Sequence, residues 1–107
     1  MEKDVPVVVL VTAKDVAEAQ KIAKGLLEAK LIACANLVFA VQSFFWWQEK
    51  IDKADEVLLV LKTQTSQVDK ITAKVKLLHS YDVPEVIALP IVAGNKDYLQ
   101  WINESVK

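Results

Sequence analysis

Residues 31–62 read LIACANLVFAVQSFFWWQEKIDKADEVLLVLK, and this stretch decides the fold. Its first half, Leu31 to Trp47, is rich in Val, Phe and Trp and carries no charge. It is too long for an ordinary strand of about five or six residues, so a long, bent or bulged strand is expected. Gln48-Glu49-Lys50 makes a polar tip, and Glu56-Val57-Leu58-Leu59-Val60-Leu61-Lys62 returns as a second strand. The pair is a hairpin.

The flanks complete the pattern. Val5-Pro6-Val7-Val8-Val9-Leu10-Val11 is a β-branched run that reads as a central strand buried on both faces, with Pro6 tolerated only at its start. Asp15 and Glu18 have capping-box spacing, and Ala19, Ile22, Ala23, Leu26 and Leu27 then give one apolar helical face ending near Lys30. After the hairpin, Ser66 and Asp69 suggest a second cap. Val68, Ile71, Val75 and Leu78 carry a second helix to about His79. Tyr81 to Pro84 breaks it, Glu85 to Val92 reads as a fourth strand, and Asn95 can cap a short helix holding Tyr98, Leu99, Trp101 and Ile102. The order β-α-β-β-α-β-α is that of an α+β, ferredoxin-like single domain: an antiparallel four-stranded sheet, two principal helices on one face, and an extra C-terminal helix.

Composition excludes several classes. Of 107 residues 53% are apolar and 25% charged, with net charge −1, so no bulk attraction to nucleic acid or anionic lipid is expected. All thirteen basic residues are Lys, which removes the bidentate fork usually used to read phosphate. No stretch approaches a membrane span of about 18 apolar residues, and a cytoplasmic, membrane-free protein is expected. The apolar share is high for so small a domain. Part of it is expected on a surface that another copy covers. The block Phe44-Phe45-Trp46-Trp47 points the same way, because successive strand residues face opposite sides and the two principal helices cover only one.

Chemistry-bearing residues are few. With only Gly25 and Gly94 there is no phosphate-cradling loop, and one Cys and one His make no zinc motif within the chain. Cys34, between Ala33 and Ala35, reads either as a small buried core thiol or as a soft metal ligand. His79 reads as a helix-end residue or as the imidazole that joins it. Thiolate and imidazole suit copper or zinc, and a symmetric oligomer would multiply so small a ligand set. No activating partner for Cys34 is evident, and no enzymatic turnover is expected.

Val11-Thr12, Leu31-Ile32-Ala33-Cys34-Ala35-Asn36, Val41 through Trp47, Glu56 through Thr63, His79 through Glu85 and Tyr98 through Trp101 occur in an order that strongly resembles the CutA divalent-cation-tolerance family. The resemblance implies a ferredoxin-like fold, a tight homotrimer similar in architecture to the PII signalling proteins, a role in tolerance to divalent metals, notably copper, and no established enzymatic activity. It places Cys34 and His79 at the positions discussed for metal binding. It places Thr12, Asn36, Trp47, Lys62, Tyr81 and Glu85 at patterned positions expected to line an inter-subunit cleft, which a PII-like small-molecule sensor would use instead. Departures are Ser80 where the family usually has Pro, Asp82 for Glu, Phe45 for Tyr, Trp46 for a polar residue, and Glu49 at a common turn glycine.

Overall fold

A computed structural model describes residues 3–107. The elements are β1 (Pro6–Ala13), α1 (Val16–Glu28), β2 (Cys34–Trp47), β3 (Lys50–Gln64), a single 3-10 turn at Thr65–Gln67, α2 (Val68–Leu78), β4 (Ile87–Pro90) and α3 (Lys96–Ser105). The sheet order is β2-β3-β1-β4 with every neighbouring pair antiparallel, which is the expected ferredoxin-like topology.

Alternation along β1 and β3 builds the core. Val7, Val9, Val11 and Ala13 of β1 and Val57, Leu59 and Leu61 of β3 face α1 and α2, burying against Ile22, Leu26, Ile71 and Val75. Gly25 lets the two helices approach: a Cβ there would lie 2.8 Å from Leu78 Cδ1. The intervening residues Val8, Leu10, Leu58 and Val60 are only half-buried. β1 is therefore central but buried on one face, contrary to the expectation of two. Its outward face, continued by Ile87 and Leu89 at 49% and 47% exposure, is an apolar surface of the isolated chain.

The caps differ in outcome. Asp15 Oδ1 accepts from the Glu18 N–H at 2.8 Å, and Asn95 Oδ1 from the Asp97 N–H at 3.0 Å, both as expected. Ser66 does not cap α2. The N-cap of that helix is Gln67, and Ser66 instead bonds through N–H and Oγ to the Asp4 carboxylate, because the 3-10 turn carries it away from the helix axis. β4 is shorter than expected. The Pro84 break delays pairing to Ile87, and the ladder ends at Pro90, which has no N–H to continue it.

The long segment is bulged. Val38 pairs with Leu58 but Val41 with Glu56, so β2 gains one residue, with Ala40 in the left-handed region at φ 59°. The extra residue changes which side chains share a face. Cys34, Asn36 and Val38 lie with Lys62, Val60 and Leu58; beyond the bulge it is Val41, Ser43, Phe45 and Trp47 that continue this side. Past Glu56 the hairpin runs on as a two-stranded ribbon, closed by Gln48 and Glu49 at φ 48° and 66° in a two-residue turn of type I′ character. α3 packs on β3 and β1, with Ile102 fully buried beneath it. The Tyr98 hydroxyl lies against Cys34, placing α3 at the Cys34–Lys62 end of the face opposite α1 and α2.

Candidate functional site

The residues expected to form one site fall into two groups at opposite ends of the outward sheet face. At the first end Cys34 is half-buried on the outward face, not sunk in the core as a thiol between two alanines suggested. Lys62, its partner in register, brings Nζ to 4.0 Å from Sγ, and Asn36 Oδ1 lies at 3.9 Å. Tyr98 closes the group; burial first, and then the Cys34 thiol beside it, raises the pKa of its hydroxyl.

At the second end the His79 side chain is fully buried. Its Nδ1 accepts the Tyr81 N–H at 3.0 Å, so Nε2 carries the proton and donates to the Thr12 carbonyl at 2.7 Å. That arrangement engages both ring nitrogens within this chain, and His79 lies apart from Cys34. Thr12 lies four residues along β1 from Val8, the partner of Lys62, which separates the two groups by roughly 13 Å along the strand. Among the described residues no three His, Cys, Asp or Glu side chains come together as a metal site. One chain alone does not assemble the implied cation site.

The imidazole is instead a brace. Glu18, the helix α1 carboxylate, accepts the Lys14 N–H at 2.9 Å and the Ser80 N–H, and stands 3.8 Å from His79 Nδ1. Burial opposes its ionisation, but the Lys14 and Ser80 hydrogen bonds outweigh that and hold its pKa below the usual carboxylate value. His79 and Glu18 thus fix the backbone that presents Tyr81.

Tyr81 opens onto a cleft of about 850 Å³. Ser43, Phe45 and Trp47 of the ribbon form one wall, Tyr81, Val83 and Glu85 the other, and Thr12 and Glu56 lie between. Four of the six expected cleft residues (Thr12, Trp47, Tyr81 and Glu85) therefore meet, while Asn36 and Lys62 sit with Cys34 at the far end. The Tyr81 hydroxyl donates to Glu56 Oε2 at 2.7 Å. Burial, then that bond and the Glu56 charge, push the Tyr81 pKa up to about 12. Sequence reading missed Glu56 and Glu18. Glu56 read as the strand's polar start, yet pairing continues back to Lys50, so it is a carboxylate inside a strand. Glu18 was visible only as a capping residue, and its reach to Ser80 is tertiary.

Residues 7–105 match the profile of the CutA1 divalent ion tolerance protein. The chain belongs to the CutA1 family. A divalent-cation tolerance protein CutA of Archaeoglobus fulgidus is 43% identical over 99 residues, covering 92% of this chain and 96% of that one. Among solved structures, the divalent cation tolerance protein of Thermus thermophilus superimposes with a TM-score of 0.94 at 42% identity, covering 95% and 99% of the two chains. The Archaeoglobus fulgidus CutA structure, described as a periplasmic divalent cation tolerance protein, gives 0.92 at 42% identity, covering 95% and 99%. These CutA1 relatives are named for tolerance to cations and not for a reaction. No helix among the described residues is long and apolar enough to cross a membrane.

Proposed function

We propose that this chain serves divalent-cation tolerance as a cytoplasmic homotrimer that binds copper or a similar ion through Cys34, without catalytic turnover. The observation that carries the reading is the outward sheet face. It is apolar at Val8, Leu10, Leu58 and Val60, and it ends in the chain's one thiol, half-buried beside Asn36. α3 covers one end of this face, and the apolar part that it leaves half-open is the surface that self-association buries. Packing across an interface lets a second copy supply the ligands that one chain lacks. In the same assembly Asn36 and Lys62 of one copy complete the Thr12, Trp47, Tyr81 and Glu85 cleft of another, giving the six-residue cleft that no single copy contains.

Light scattering tests the assembly: a mass about three times 11.9 kDa is expected, and a monomer refutes it. Copper titration tests the ligand. Cys34→Ser should abolish tight binding, and affinity should fall on acidification because a thiol must lose its proton to bind. His79→Gln should leave the affinity intact, since both ring nitrogens are already engaged. Unchanged binding in Cys34→Ser ends the copper reading.

A second reading, a PII-like small-molecule sensor, is favoured by the aromatic-walled cleft, which lies apart from Cys34. A ligand that quenches Trp47 fluorescence equally in the parent and Cys34→Ser proteins would select it.

A further inference from the structure

Glu56 is anomalous for a carboxylate. It is 8% exposed, it lies inside a strand, and its one side-chain partner is the neutral Tyr81 hydroxyl. Among the described residues the only basic–acidic side-chain contact within 4.0 Å is His79 with Glu18. Lys53 lines the same cleft, yet none of the described lysines forms an ion pair with Glu56 within 4.0 Å. A carboxylate removed from water to this degree is costly without a cation, and removing the cation from such a pair costs more than the pair itself returns.

Lys62 is the mirror case. It is half-buried, and its ammonium meets the Cys34 sulfur at 4.0 Å and no described carboxylate. Both residues stand on β3, and the even-numbered positions Glu56, Leu58, Val60 and Lys62 share the outward face. Six residues apart, they are separated by roughly 20 Å at about 3.3 Å per residue. They cannot meet within one chain. The face thus reads negative, apolar, apolar, positive. Leu10 widens the apolar centre opposite Val60, and Val38 does so opposite Leu58.

Resting on the homotrimer reading, we propose that Glu56 of each copy pairs with Lys62 of the partner subunit, so that a cation supplied in trans completes the Tyr81–Glu56 end of the cleft. A head-to-tail ring brings one end of a surface against the opposite end of the next copy, which is the arrangement two unlike, separated charges require. The occupant is a second copy because the cation needed by one end is displayed, unpaired, at the other end of the same apolar stripe. The pair fixes register: sliding or inverting the contact would set Glu56 against leucine or against another carboxylate, each a desolvated mismatch.

The test is a charge-reversal cycle read as the concentration at which the assembly dissociates, by light scattering. Glu56→Lys and Lys62→Glu alone should each raise that concentration by on the order of ten-fold or more, and the double reversal should recover most of the loss. Neutral variants Glu56→Gln and Lys62→Met carry the same test if a reversal fails to fold. Either alone should weaken assembly, and together they should cost no more than the worse single change. Additive effects in a protein that still assembles would overturn the pairing while leaving the homotrimer standing. A parent protein that is monomeric throughout would overturn both. Weakening by Glu56→Gln with none by Lys62→Met would assign the compensating cation to a small ligand and likewise overturn it.

Discussion

Tyr81 donates its phenolic proton to Glu56 across 2.7 Å, tying the α2–β4 connection to the middle of β3. The bond requires the neutral phenol. With a folded pKa of about 12 against an ordinary 10, its contribution is full below pH 10 and is lost as pH rises toward 12. Urea midpoints between pH 9 and 12 should fall for the parent, and Tyr81→Phe should flatten that decline. An equally steep decline in Tyr81→Phe would show that the bond contributes nothing.

Glu18 sets the acid limit by the opposite sign. Its folded pKa lies below the ordinary 4.5, so its contribution is present above that value and is lost as pH falls through the depressed folded pKa. Glu18→Gln keeps the shape but turns an amide donor toward one of the Lys14 and Ser80 N–H groups. A loss of about 1–3 kcal/mol at neutral pH, with a weaker dependence on acid, is expected from chemical denaturation.

The ribbon turn holds Gln48 and Glu49 in the left-handed region, where a side chain is strained and glycine is not. Glu49→Gly should stabilise the protein by about 0.5–1 kcal/mol, read as a higher urea midpoint at fixed protein concentration. A lower midpoint would mean that the Glu49 side chain makes a contact worth more than the strain.

Assembly should discriminate between neighbouring aromatics. Phe45 and Trp47 share the face of Glu56 and Lys62, whereas Phe44 and Trp46 point to the other side of the ribbon. Trp47→Ala should shift the dissociation concentration markedly. Trp46→Ala and the helix-surface change Lys70→Ala should move it little, and light scattering across a dilution series separates them.

Strand order was legible because it rests on alternation and connection length. Val7, Val9 and Val11 against Val8 and Leu10, with helices of period 3.6 between strands, leave few antiparallel arrangements. The caps at Asp15 and Asn95 were legible because their acceptors lie two or three residues away. Ser66 misled for the converse reason: its partner Asp4 is 62 positions distant. The candidate site was only half legible. Residue types pointed to Cys34 and His79, but which ring nitrogens of His79 are already taken depends on Thr12 and Tyr81 reaching it through the fold.

The bulge at Ala40 gives the ribbon a rule of parity. Lengthening or shortening β2 by a residue pair would move the tip but keep Phe45 and Trp47 on the outward side. Removing one residue at Phe39 or Ala40 would straighten the strand and leave them there, whereas removing one between Val41 and Phe44 with the bulge kept would present Phe44 and Trp46 instead. Sequence drift in this segment is therefore quantised. Length can change in twos with the aromatic surface intact, while a single-residue deletion between the bulge and the aromatic block exchanges one aromatic surface for another at unchanged composition elsewhere. In a chain with four consecutive aromatics, both products remain sticky, so such a deletion is a route to a new assembly and not simply to the loss of the old one.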